Sequence, residues 1–177
     1  MRKIAPFLAA LAVIVLITGC ETGTTTPTQK IAEVAKAIRI GTSAATSIGF
    51  LAIPNKAEAD EIAALTADAL KTNVIPLLQG DEQALVGGLG KLLDLSVFDN
   101  PKLAKVKLLL GTALPLLQKN LPDTLIESAT NKLRPDAKAY LEAFFTGALD
   151  GTEAYLGTPQ GSRAAPKFEQ LRANLAK

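Results

Sequence analysis

The chain contains no histidine, no tryptophan and one cysteine, Cys20, in 177 residues. Zinc, copper, haem and iron sites draw mainly on imidazole or thiolate, so metal and redox chemistry has almost nothing to work with, and no cofactor is expected. One thiol also excludes a disulfide within a single chain, so the fold must hold by burial alone. Lys and Arg number 19 against 17 Asp and Glu, with no block of like charge. That balance leaves no electrostatic footprint for nucleic acid.

Catalytic motifs are equally scarce. Around Gly90-Lys91 a phosphate loop fails twice, because Leu85 stands where the first glycine belongs and Leu92 where the hydroxyl belongs. Gly41-Thr42-Ser43-Ala44-Ala45 has the start of a serine-hydrolase elbow but lacks its last glycine, a preceding strand and any histidine base. Asp150-Gly151-Thr152-Glu153 lacks the alternating oxygen ligands of a calcium loop. Glu142, beside Leu141 and Phe144, is the one carboxylate placed for glycosidase-type chemistry, though a solvent-facing position is the simpler expectation. The carboxylates of Glu58, Asp60 and Glu61, and of Asp81 and Glu82, fall in first helical turns, where the helix dipole favours them. The chain is expected not to be an enzyme.

What is present begins at the N-terminus. Arg2 and Lys3 precede sixteen uncharged residues, 4–19, which run into Leu16-Ile17-Thr18-Gly19-Cys20. A basic start, a short apolar stretch and a small residue before the cut are the parts of a secretory signal. The stretch is too short to span a hydrocarbon core of about 30 Å comfortably, and Pro6 interrupts it. This segment resembles a bacterial lipoprotein signal peptide. The resemblance covers residues 1–21 and implies cleavage before Cys20, attachment of acyl chains such as palmitate to Cys20, and a lipid anchor strong enough to hold because it has several chains. It also implies a cell-envelope location, and Glu21 after the cysteine favours the outer membrane facing the periplasm.

Removing 19 residues leaves 158, with 17 basic and 17 acidic side chains. This is the size of one ordinary domain with a real core. Residues 20–29, acylated Cys20 followed by a polar stretch without a large apolar side chain, read as a flexible tether, and residues 30–177 as a single domain.

Within that domain apolar residues recur at helical spacing, and no stretch alternates with period two. The expectation is an all-α, irregular bundle of about six or seven helices, two of them proline-kinked. The first carries Ile31, Val34, Ile38, Gly41, Ala45 and Gly49 on one face and ends at Pro54. Gly41, Ala45 and Gly49 form a ladder of small residues suited to close helix packing. Asn55 and Glu58 have the spacing of an N-cap with a reciprocal carboxylate, opening a second helix through Leu77. Residues 82–95 read as a short, glycine-laden third helix and 101–118 as a fourth. A fifth is expected to end near Leu133, a sixth to run from Pro135 to a break at Asp150-Gly151, and a last to cover 166–176 with Phe168, Leu171 and Leu175.

A faint repeat links residues 72–79, with Pro76, to residues 111–118, with Pro115, at an offset of 39. Duplicated kinked hairpins are one reading and a shared leucine-rich composition is the simpler one. Five of the eight aromatic residues, Tyr140, Phe144, Phe145, Tyr155 and Phe168, lie in the last 38 positions, as a pocket lining or as the thickest part of the core.

The functional expectation is a non-enzymatic lipoprotein, a membrane-anchored envelope interaction or scaffolding module with a protein partner. The alternative is a carrier or sensor of an apolar ligand such as a lipid, with the glycine-rich stretch 87–95 as its gate.

Overall fold

The computed structural model describes residues 26–157. Cys20, the signal segment and the expected helix at 166–176 lie outside the described residues. The described part is mostly helical, as the periodicity predicts, with five helices rather than six or seven.

Helix α1 (Pro27–Leu51) starts earlier than composition suggests. The Thr26 hydroxyl accepts from the Gln29 amide at 3.3 Å, and the Thr26 amide donates back to Gln29 Oε1 at 2.9 Å. Pro27 then occupies the first turn, where its missing N–H costs nothing. Three residues assigned to the flexible tether, Pro27 to Gln29, are therefore helical.

Helix α2 is one rod in three parts: Lys56–Ala69, a π turn at Leu70–Val74, and Ile75–Gln79. Asn55 caps it by accepting from the amides of Ala57 and Glu58. Glu58 pairs with Lys105 of a later helix. The π turn explains how Pro76 is tolerated. A proline ring in a regular helix would press on the carbonyl four residues back, that of Thr72. Here the Ile75 amide reaches Leu70, five residues back, so the turn is widened just before the proline.

Helix α3 (Glu82–Leu93) is regular despite Gly87, Gly88 and Gly90, with Leu85, Leu89 and Leu92 buried along one side. Leu95 follows in the left-handed conformation (φ 57°) while almost fully buried, and a short 3-10 turn, Ser96–Phe98, buries Phe98. After a second such turn, Pro101–Leu103, helix α4 (Ala104–Gln118) carries Pro115 within it.

The expected fifth helix does not form. Residues 126–133 instead make a two-residue antiparallel hairpin, β1 (Ile126–Glu127) and β2 (Lys132–Leu133), with Ile126 opposite Leu133. Asn131 supplies the left-handed turn residue (φ 53°), a conformation asparagine accepts readily. Leu133 is buried, and β2 packs beside α3. Helix α5 (Pro135–Gly157) then runs unbroken through Asp150-Gly151, where a break was expected.

The repeat is confined to the two proline segments. From Asn73 to Gly80 and from Thr112 to Lys119 the order of buried and exposed positions is the same, with Val74 and Leu78 matching Ala113 and Leu117. Beyond them the chain diverges, into α3 in one case and into the hairpin in the other. Whole hairpins are thus not duplicated.

Helices α1 and α5 form the most extensive packing pair. Arg39 grips Asp150 through Nε (2.6 Å) and Nη2 (3.2 Å), Ser47 Oγ donates to the Gly151 carbonyl at 2.8 Å, and Phe50 meets Tyr155 with ring centroids 5.1 Å apart. These contacts advance in the same direction along both helices, so the two run parallel. Their close approach rests on glycines of α5. A methyl group added at Gly147 would overlap the Arg39 carbonyl oxygen, and one at Gly151 the Ser43 carbonyl oxygen. On its other edge α1 meets α4, where a methyl at Gly49 would lie 3.0 Å from Leu109 Cδ1.

The core includes Phe50, Phe98, Leu141, Phe144 and Phe145, all fully buried. Phe144 and Phe145 meet edge to face. Tyr140 and Tyr155 are buried beside them, so the described aromatics of the C-terminal cluster are core residues.

Candidate functional site

Three features qualify as sites, and each has a different chemistry. The first is a hollow of about 380 Å³ between the N-terminal half of α1 and the first half of α5. Ala35, Ala139 and Ala143 form its floor, because alanine leaves space between the two helices, and Lys36, Arg39, Glu142 and Thr146 stand around it. Glu142 is half-buried here, as neighbour to Lys36 and Arg39. Glycoside hydrolysis usually takes a pair of carboxyl groups across the scissile bond, and this lining holds one. Arg39 is already committed to Asp150, which holds its guanidinium above the ordinary arginine range through the hydrogen bond and then the charge. The hollow is an open groove with a mixed-charge rim.

The second is a half-buried polar knot joining α2 and α5. Tyr155 donates its phenol to Asp60 Oδ1 at 2.9 Å, and Lys56 reaches the same carboxylate at 2.7 Å. Burial first, then the Asp60 hydrogen bond, pushes the Tyr155 hydroxyl up to about 12. Such a phenol stays protonated at neutral pH and serves as a fixed donor. The knot pins α2 against α5. No local spacing announces it, since its partners are 95 residues apart.

The third is an uncharged strip on α1. Residues 40–53 carry no charge, and neither do residues 108–118. On α1 the run exposes Ile40 (50%), Ala44 and Leu51 (56%), with Ile48 half-buried among them. Positions 40, 44 and 51 lie within about 40° of one another around the helix. Helix α4, which meets α1 at Gly49 and so on the side of α1 away from this strip, separately exposes Leu108 (74%). Lys36 and Arg39 stand at the head of the α1 strip, while Lys105 and Lys107 in the first turn of α4 pair with Glu58 and Asp99.

The other residues singled out in the sequence are placed as follows. Gly41 and Thr42 are buried in the middle of α1, and the Ser43 carbonyl faces Gly151, so the hydrolase-like segment is part of a helix seam. Asp150 and Glu153 of the supposed calcium segment pair with Arg39 and Lys71. The stretch 87–95 forms the second half of α3 and its buried C-terminal turn rather than a loose segment. Gly87 and Gly90 face open space while Gly88 abuts Leu77. Two buried hydroxyls, Thr42 and Thr46, have no hydrogen-bond partner, whereas the buried Thr66 and Thr152 each donate to the carbonyl four residues earlier. Among the described residues no three His, Cys, Asp or Glu side chains gather as a metal site, and no helix is long and apolar enough to cross a membrane.

No family model matches the chain, and comparisons with curated proteins and with solved structures find no match either.

Proposed function

We propose that this chain is a lipid-anchored bacterial envelope protein whose helical domain, without an enzymatic activity of its own, holds or positions another envelope component close to the membrane. The observation that supports the reading best is the capped start of α1. Helix begins at Pro27, seven residues after Cys20, and Thr26 is already engaged in the capping box. An acylated Cys20 would thus be joined to a stiff rod by a link no longer than about 25 Å when fully extended. A link of that length suits a module that must stay in place. A shuttling carrier is better served by a longer one. The carrier reading has no observation in its favour: the groove between α1 and α5 is open and rimmed by charge, and large side chains fill the interior beneath it.

Two measurements on the native chain test the proposal. Intact mass of protein recovered from the envelope fraction should show a chain beginning at Cys20 with acyl chains attached. Photo-crosslinking side chains placed at exposed positions such as Lys91 and Lys119 should trap a discrete partner in living cells. An unprocessed chain would refute the anchor, and a domain that crosslinks to nothing would refute the positioning role.

A further inference from the structure

The uncharged strip on α1 runs beside α5, and the chain leaves α5 at one end of that strip. Lys36 of the hollow, Ile40 and Ala44 succeed one another four residues apart, so the strip continues the α1 wall of the hollow. Ser47 stands one turn before Leu51 and donates to the Gly151 carbonyl, so α5 borders the strip directly. Ile40, Ala44 and Leu51 lie about 60–100° around α1 from Ser43, whose carbonyl faces α5. Three helices at equal spacing subtend about 60° at each axis, so the strip and α5 form two walls of a groove open to a third helix.

The register between the two helices fixes where the chain emerges. Gly147 abuts the Arg39 carbonyl and Gly151 the Ser43 carbonyl, the same sequence offset in both cases. By that offset Gly157, the last residue of α5, stands level with Gly49, about 3 Å along the axis from Leu51. Residues 158–177 follow. In their sequence Pro159 and Gly161 favour a turn, Pro166 suits a first helical turn, and Phe168, Leu171 and Leu175 recur at the spacing of one helix side. Phe168 and Leu175 are as far apart in sequence as Leu51 and Ala44, which is about 10 Å along a helix. The link 158–165 extends to roughly 27 Å, ample for a reversal across the 8–10 Å between packed helix axes.

We infer that residues 166–176 double back as a helix antiparallel to α1 and seat in this groove, with Phe168 over Leu51 and Leu175 over Ala44. The driving force is burial of apolar side chains on both sides rather than charge, since the strip has none. The inference does not depend on the lipid anchor. A strip covered by the chain's own segment is closed to a partner, which turns the search for one towards α3 and the hairpin.

Disulfide trapping in the full chain tests the seat, with Cys20→Ser removing the native thiol. Two cysteine pairs are built to meet, Leu51→Cys with Phe168→Cys and Ala44→Cys with Leu175→Cys. Two are crossed, Leu51→Cys with Leu175→Cys and Ala44→Cys with Phe168→Cys. A disulfide needs Cα atoms within about 7 Å, and the crossed pairs would stand more than about 10 Å apart. Under mild oxidation the matched pairs should bridge within one chain about ten-fold faster than the crossed pairs. Equal rates in all four overturn the inference, because a segment without a seat meets every site alike. Faster bridging of the crossed pairs overturns the antiparallel direction, and covalent dimers in place of internal bridges put a second copy on the strip instead.

Limited trypsin digestion gives a second readout that keeps Phe168 and Leu175 in place. Cleavage after Arg172 should be slow in the wild-type chain, and Leu51→Asp should speed it about ten-fold by releasing the segment. Leu51 is exposed at the end of α1, so cleavage after Lys91 in α3 should keep its rate. Cleavage after Arg172 that is indifferent to Leu51→Asp overturns the seat.

Discussion

Helix α1 is held along two edges, and both edges involve glycine, yet the two contacts differ in kind. Toward α5 the glycines belong to the partner, Gly147 and Gly151, and what lies opposite them is main chain. Toward α4 the glycine is Gly49 of α1 itself, and what lies opposite is the tip of Leu109. Main chain cannot step aside without moving a whole helix, whereas a leucine tip has other rotamers. A glycine is therefore indispensable or merely convenient according to the stiffness of its neighbour.

The largest expected effect breaks the stiff edge. Gly151→Ala should cost about 3 kcal/mol in urea unfolding, because overpacking forces α1 and α5 apart and exceeds the roughly 1 kcal/mol that alanine gains in helix propensity. Gly147→Ala should behave alike, and a loss below about 0.5 kcal/mol at both sites would show that the seam gives way easily.

Next in size is the polar knot at the far end of the same edge. Tyr155→Phe removes a hydrogen bond to a carboxylate, at a cost of about 1.5 kcal/mol at neutral pH. The phenol is raised in the folded chain to about 12 from its ordinary 10, so folding favours its protonated form. That contribution is complete below pH 10 and fades as pH rises towards 12. The stability gap between the wild-type chain and Tyr155→Phe should thus narrow between pH 10 and 12, while Tyr140, present in both, cancels. A gap that stays constant over this range would count against the buried phenol.

Smaller and of opposite sign is the effect of the orphaned hydroxyls. Thr42→Val and Thr46→Val keep the β-branched shape and delete an unpartnered buried oxygen, so each should stabilise by about 0.5–1 kcal/mol in thermal unfolding. Destabilisation would mean that the hydroxyls are satisfied, for instance by buried water. Smallest of all, Gly49→Ala on the pliable edge should stay within about 0.5 kcal/mol of wild type, since Leu109 can turn away.

The same contrast shows why the sequence was legible in some places and opaque in others. Local signals were reliable where the cause was local: Asn55 caps α2, Pro54 follows the end of α1, and leucines at 85, 89 and 92 line the buried side of α3. The small-residue ladder on α1 correctly marked a packing helix, but the glycines that main chain presses on are in α5. Gly151 looked like a break because glycine after aspartate is ordinary turn chemistry, and only the opposing Ser43 carbonyl gives it another purpose. Residues 121–133 misled for a related reason. Their leucines and isoleucine fit a helical period, while Pro122, Thr130 and Asn131 favour a turn that Leu133 then secures by burial against α3. The Tyr155 and Asp60 pair was invisible because nothing in either neighbourhood refers to the other. The π turn could have been suspected, since Pro76 sat inside an otherwise continuous helical pattern.

The parallel pairing of α1 with α5 also sets an order of events in time. Their contacts join residues 104 and 111 positions apart, so the first helix described is completed by the last one described. Until α5 exists, the side of α1 that bears Ile38 and Phe50 has no cover from it. Such distant pairing delays folding relative to a bundle of neighbouring hairpins, because a long loop must close before the contact repays it. A nascent chain halted before residue 135 would carry an unfinished core, prone to stick to other chains and dependent on chaperones to keep it apart.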